Sequence, residues 1–81
     1  HPEEQQQLMS SPVLSGFVAN GKLNPTAVEH FVKNGDPKQV PAIVNAIPPR
    51  LRPLLRAELD KDWRVSFTRV GSALLAQLPR S

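Results

Sequence analysis

The sequence DPKQVPAIVNAIPPRLRPLLRAEL (residues 36–59) contains five prolines among apolar residues that recur every three to four positions, as on one face of a helix. Proline fixes φ near the helical value and has no N–H to donate, so it is favoured at the first position of a helix. An Asp, Asn or Ser directly before the proline supplies an oxygen that can cap the amides of the first turn. Three such pairs occur in the chain: Ser11-Pro12, Asn24-Pro25 and Asp36-Pro37. We therefore predict a helix start at each pair.

Apolar residues between these starts recur every three to four positions, as they do on one face of a helix. Asn-Gly follows two of the runs, at 20–21 and 34–35, and both residue types tolerate the left-handed conformation that closes a helix. We predict an all-α fold, a compact bundle or short right-handed stack of four to five short helices, most of them starting at proline. Residues 1–10 are expected to form a frayed N-terminal segment, and residues 11–79 a single helical domain. The apolar runs are Val13, Leu14, Phe17 and Val18; Ala27, Val28, Phe31 and Val32; Val40, Ile43, Val44 and Ile47; and Leu51, Leu54, Leu55 and Leu59.

Pro41 and Pro53 would each be the fifth residue of a helix that begins at Pro37 or Pro49. At that position the ring presses on the carbonyl four residues back and removes the first α-type hydrogen bond. Two outcomes satisfy this constraint. Either the first turn is a tight 3₁₀ turn, or the helices begin at Pro41 and Pro53 after an extended lead-in.

The segment WRVSFTRV (63–70) fits two secondary structures. It alternates apolar and polar residues as a strand does, but an isolated strand leaves its backbone groups unpaired unless another chain supplies the partner. Trp63 also begins a helical stripe that continues to Leu78. We favour a last helix over residues 62–78, bent at Gly71-Ser72, with Trp63 as the largest residue of the core.

Two short motifs recur: FVANG (17–21) as FVKNG (31–35), and PKQVPAIV (37–44) in outline as PRLRPLLR (49–56). Either consecutive helices repeat the same capping pattern, or the chain is a stack of short antiparallel helices. The sequence of residues 24–55 resembles the armadillo-like helical units of flagellar rotor-switch and magnesium-transporter cytoplasmic domains. This resemblance implies stacked helices, and no function or site residue follows from it.

Composition narrows the class of protein. The 81 residues include no cysteine, which excludes disulfides and thiolate metal sites and favours an intracellular protein, cytoplasmic or nuclear. The net charge of +3 divides into −1 for residues 1–49 and +4 for residues 50–81. No apolar run approaches the ~20 residues that span a bilayer, so membrane insertion is not expected. The first residue is His rather than Met, which suggests a domain excised from a larger protein.

Catalytic patterns are missing from the sequence. His30 lies between Glu29 and Phe31 on a short helix, where a surface histidine is the simpler interpretation. The acids at 58, 60 and 62 lack the glycine and the alternating ligands of a calcium loop, and there is no phosphate loop or nucleophile elbow. We therefore expect no enzyme activity, no cofactor and no bound metal.

The preferred functional hypothesis is a non-catalytic domain that binds an acidic or apolar helical surface of another protein. An apolar groove edged by C-terminal arginines would form the contact. The alternatives are a nucleic-acid-binding domain that contacts phosphates through the same arginines, and a homo-oligomer that associates through residues 63–70. The interpretation without a binding role is that neighbouring acids neutralise the arginines, which then form an ordinary solvated surface. The predicted contact residues are Leu51, Leu54, Leu55, Trp63 and Phe67 for burial, and Arg50, Arg52, Arg56, Arg64 and Arg69 for orientation.

Overall fold

A computed structural model describes residues 16–80. Within this range most residues are helical and the only sheet is one very small hairpin, so the all-α prediction is confirmed, and several helices start at proline. The predictions for residues 1–10 and for a helix start at Ser11-Pro12 lie outside the described residues. The elements are β1 (Val18–Ala19), β2 (Lys22–Leu23), α1 (Pro25–Asn34), α2 (Val40–Ala46), α3 (Arg52–Leu59) and α4 (Arg69–Gln77), with 3₁₀ helices at Pro37–Gln39, Pro49–Leu51 and Trp63–Phe67.

Side-chain caps fix two of the predicted helix starts. The Asn24 side chain accepts a hydrogen bond from the Thr26 amide at 3.2 Å, and Pro25 is the first residue of α1. Asp36 accepts from the Lys38 amide at 2.9 Å at the start of the first 3₁₀ helix. Both caps satisfy an amide that would otherwise have no partner in the helix.

The prolines of the quoted stretch are accommodated by 3₁₀ turns, which is the first of the two predicted outcomes. The first two 3₁₀ helices begin at Pro37 and Pro49, and α2 and α3 continue from them with Pro41 and Pro53 in their first turns. A 3₁₀ turn bonds residues three apart, so the hydrogen bond four residues back that these prolines cannot make is not needed.

The Asn20-Gly21 pair does not end a helix, and this prediction was wrong. Both residues have positive φ, 54° and 74°, and they form the two-residue loop between β1 and β2. A loop with positive φ at both positions matches the twist of a β-hairpin. Val18 therefore lies in a strand, paired with Leu23, rather than on a helix face.

The second Asn-Gly pair behaves differently. Helix α1 does end at Asn34, but Gly35 has φ −79° and ψ 170°, which is extended rather than left-handed. Its amide donates to the Phe31 carbonyl at 2.7 Å. The predicted stop is therefore correct and its predicted conformation is wrong.

The predicted continuous helix over 62–78 is also wrong, and in this single chain residues 63–67 form no strand; pairing with a strand of another chain stays a prediction. Residues 63–67 form a 3₁₀ helix, and α4 begins afresh at Arg69. The break lies at Thr68, whose backbone is extended and whose Oγ1 accepts from the Gly71 amide at 2.9 Å. The chain therefore changes direction at a capping threonine and not at Gly71-Ser72.

Helix α4 lies at the centre of the packing and contacts α1, α2 and α3. Its buried face meets apolar residues from every other helix, and Phe17 packs edge-to-face on Phe31 with ring centroids 5.4 Å apart. No helix here is stable by itself at this length, so burial of this shared core holds the helices together. The core consists of Phe17, Val28, Phe31, Val32, Val40, Ile43, Val44, Ile47, Leu51, Leu55, Leu59, Val70, Leu74 and Leu78.

Candidate functional site

Trp63 and Phe67 form an exposed aromatic pair. Their side chains are 71% and 80% exposed, and the rings lie edge-to-face with centroids 5.6 Å apart and an interplanar angle of 86°. The prediction that Trp63 belongs to the core is therefore wrong. The stripe from Trp63 to Leu78 requires one continuous helix, and the break at Thr68 separates the two aromatic residues from the buried part of that stripe.

Hydrogen bonds within the segment hold the aromatic pair in place. Asp62 caps the 3₁₀ helix by accepting from the Arg64 amide at 3.0 Å. The Ser66 hydroxyl donates to the Trp63 carbonyl at 2.7 Å, and the Thr68 hydroxyl donates to the Val65 carbonyl at 2.8 Å. The two aromatic rings are therefore carried by backbone that is fixed at both ends of the turn.

Gly71 seats this segment on α4. A Cβ at Gly71 would overlap the Val65 carbonyl oxygen and would lie 2.6 Å from Thr68 Oγ1. Val65 itself is half-buried and packs against the core, which directs it inward while its aromatic neighbours face outward. A residue without a side chain is needed here because the backbone of the 3₁₀ helix lies directly against the first turn of α4.

Arg64 binds Asp62 through two parallel hydrogen bonds, Nε to Oδ1 and Nη2 to Oδ2, each 3.0 Å. The Arg64 side chain, followed by its backbone amide, lowers the pKa of Asp62, and the carboxylate in turn raises the pKa of Arg64. The Arg64 side chain is nevertheless 74% exposed, so its remaining N–H groups face solvent. The pair adds local order more than stability, because exposed ion pairs are screened by water.

Arg52 and Arg56 cap the ends of neighbouring helices. Arg52 Nε donates to the Val44 carbonyl at 3.1 Å, in the last turn of α2. Arg56 Nη1 donates to the carbonyls of Leu75 and Leu78, at 3.1 and 3.2 Å, where α4 ends. The last carbonyls of a helix have no partner within it and carry partial negative charge, so a guanidinium is a favourable cap.

Of the two remaining predicted contact arginines, one has a structural partner and the other has none within residues 16–80. Arg50 donates to the Gly21 carbonyl at 3.1 Å and joins the second 3₁₀ helix to the hairpin. Arg69 is exposed and makes no side-chain hydrogen bond or ion pair with residues 16–80. Neighbouring acids also neutralise arginines locally, since Asp60 pairs with Arg56 at 3.3 Å.

The predicted leucines do not share one surface. Leu51 and Leu55 are buried in the core, whereas Leu54 is 57% exposed on α3. Of the predicted contact residues, the structure pairs only Trp63 with Phe67 directly. Two predicted arginines are near them in sequence, Arg64 on the same third 3₁₀ helix and Arg69 at the start of α4. We call these four residues the aromatic patch.

Sequence reasoning missed the residues that position the patch. Asp62 stands two residues before the amide that it caps, as Asn24 and Asp36 do, so this repeated spacing could have located the helix start at Trp63. Thr68 carried a weaker signal as a possible N-cap. The contact made by Gly71 has no counterpart in the sequence, because it depends on how two segments meet.

A cleft of about 530 Å³ lies between α1 and the third 3₁₀ helix. Val28, Val32 and Val65 contribute apolar side chains to its lining. Each of the charged residues around it belongs to an ion pair, so the cleft presents no unpaired charge to a ligand. The pairs are Glu29 with Lys33, Glu58 with Lys61, and Asp62 with Arg64, at 3.0, 2.7 and 3.0 Å.

Residues 16–80 contain no group of three His, Cys, Asp or Glu side chains that could hold a metal ion. Within the same range, no helix has the length and apolar character needed to cross a membrane. A scan against protein-family models and searches of curated proteins and solved structures found no match to this chain. The resemblance of residues 24–55 to armadillo-like units therefore stays a prediction, and the function is argued from the aromatic patch.

Proposed function

We propose that this chain is a non-catalytic protein-interaction domain whose contact surface is the aromatic patch. The observation that carries the proposal is the pair of large aromatic side chains, 71% and 80% exposed, on a turn with hydrogen-bonded ends. Tryptophan and arginine are enriched among the residues that dominate binding energy at protein interfaces. A rigid turn adds affinity because little conformational freedom is lost when the partner binds.

The patch is small, which favours a transient contact. Aromatic side chains present about 150–250 Å² each, so the exposed parts of Trp63 and Phe67 offer about 300 Å² together. Stable complexes bury about 800 Å² on each partner. We therefore expect weak, reversible binding unless a partner also covers neighbouring surface.

The alternative of nucleic-acid binding has less support. Three of the five arginines named for it donate to backbone carbonyls within the domain, and Arg64 is paired with Asp62. Only Arg69 makes no such contact with residues 16–80. Phosphate binding would have to compete with these intramolecular partners, which lowers the affinity that the arginines can supply.

The test is affinity capture from native lysate with wild-type bait and with the double variant Trp63→Ala/Phe67→Ala. Leu54→Ala is the matched control, because it removes another exposed apolar side chain outside the patch. We expect wild type and Leu54→Ala to retain a protein that the double variant loses, with helical circular dichroism unchanged in all three. Capture that survives in the double variant, or that disappears on nuclease treatment, would contradict the proposal.

A further inference from the structure

The residues beside the aromatic pair carry a net positive charge, which indicates the charge of a matching partner. Arg64 is adjacent to Trp63, and Arg69 is two residues after Phe67. The nearest acid in sequence, Asp62, is already bound to Arg64 by two hydrogen bonds. The patch therefore combines two apolar rings with a net positive charge.

Arg69 retains the capacity to bind a carboxylate. Its side chain makes no hydrogen bond or ion pair with residues 16–80, whereas Arg64 is held by Asp62 through Nε and Nη2. Guanidinium groups bind carboxylates with directional, charge-assisted hydrogen bonds. Arg69 is also the first residue of α4, where the partial positive charge of the helix end adds to its own.

A second copy of the chain is a poor occupant for this surface. In a symmetric dimer the same patch lies on both sides of the interface, so Arg64 and Arg69 of both copies would be brought together. Like charges in one interface are destabilising, and the exposed area of about 300 Å² is well below the ~800 Å² per partner of a stable complex.

We infer that the occupant of the aromatic patch is a short acidic peptide segment of another protein, with one or two large apolar side chains flanked by Asp or Glu. The apolar side chains pack on Trp63 and Phe67, and a carboxylate pairs with Arg69. This inference rests on the proposed function and adds the chemistry of the partner to it.

The test is selection of a displayed library of random short peptides on the full 81-residue chain, after depletion on the Trp63→Ala/Phe67→Ala variant. We expect the enriched peptides to carry an excess of Asp and Glu beside large apolar residues. Enriched peptides that are neutral or basic would overturn the acidic partner and leave the proposed function standing. Absence of any enrichment that depends on the aromatic pair would overturn the peptide as occupant, whereas the proposed function is judged separately by the capture of whole proteins.

Charge reversal then tests the role of the arginines with an enriched peptide. Trp63 is the only tryptophan, so its fluorescence reports binding directly. Arg69→Glu should weaken the Kd by about tenfold or more, whereas Arg80→Glu, a matched exposed arginine beyond the other end of α4, should change it less than about twofold. Equal affinities for wild type and Arg69→Glu would overturn the inference. So would sedimentation that shows a dimer dissociated by Trp63→Ala, because the second copy would then be the occupant.

Discussion

Replacing Arg56 by methionine separates a structural arginine from a binding arginine. The Arg56 side chain is only 14% exposed, and its Nη1 donates to two carbonyls at the end of α4. Methionine keeps most of the apolar volume and removes the guanidinium. The carbonyls of Leu75 and Leu78 then lose a charged donor that water can replace only in part.

The expected loss follows from these contacts. A hydrogen bond to a charged group contributes about 1.5–3 kcal/mol, and partial rehydration of the carbonyls offsets some of it, so Arg56→Met should lower the free energy of unfolding by about 2–4 kcal/mol. Domains of this size have a total stability of roughly 4–12 kcal/mol. Since each kcal/mol shifts the Tm of such a domain by roughly 4–8 °C, a fall in Tm of about 8–32 °C is expected.

The assay is urea unfolding followed by far-ultraviolet circular dichroism, with Arg64→Met as the matched control. Arg64 carries the same side chain, but its partner is an exposed carboxylate, so its replacement should leave the unfolding midpoint nearly unchanged. Arg56→Lys should give an intermediate midpoint because an ammonium keeps the charge but not the geometry. Midpoints that are equal for Arg56→Met, Arg64→Met and wild type would refute the assignment of Arg56 as a helix cap.

Three further predictions test the surroundings of the aromatic patch. Gly71→Ala should cost about 1–3 kcal/mol by forcing the third 3₁₀ helix away from α4, and it should change the Trp63 fluorescence, whereas the exposed neighbour Ser72→Ala should do neither in the same unfolding assay. The pKa of Asp62, measured by carboxyl NMR titration, should lie below the ordinary value of an aspartate. The stabilisation from this carboxylate is then complete above the pKa of the unfolded state and is lost as the pH falls through the pKa of the folded state. A pKa at or above the ordinary value would contradict the ion pair. Trp63→Ala should cost less than about 2 kcal/mol in urea unfolding because most of its surface is already in water, whereas the buried Leu74→Ala should cost about 2–5 kcal/mol; a larger loss for Trp63 would place it in the core.

Local chemistry made part of the fold predictable. The starts at Pro25 and Pro37 depend on a side-chain oxygen and on the fixed φ of proline, and both act within three residues of the helix end. The prolines at 41 and 53 limited the starts of α2 and α3 to two outcomes, and the structure shows the 3₁₀ turn at both. The Asn20-Gly21 loop depends on equally local chemistry, because a two-residue hairpin loop requires positive φ at both residues, but the same residue pair also fits a helix stop.

The aromatic patch was predictable only in composition. Trp63, Phe67 and the nearby arginines are evident in the sequence, but their exposure depends on how the third 3₁₀ helix is rotated relative to α4. The cap at Thr68 and the close approach of Gly71 to Val65 fix that rotation. The same aromatic residues would face the core if the helix ran unbroken through Thr68.

The arginines show most clearly which features depend on the sequence alone and which depend on the tertiary structure. The sequence by itself determined that the C-terminal half is basic, that prolines start the helices at Pro25, Pro37 and Pro49, and which leucines recur at helical spacing. Only the tertiary structure decided that Arg56 binds carbonyls 19 and 22 residues away, while Arg69 binds none within residues 16–80. The physical reason is that a cap or a proline acts on its own turn, whereas the partner of a long side chain is whichever helix end the packing of the core brings within its reach.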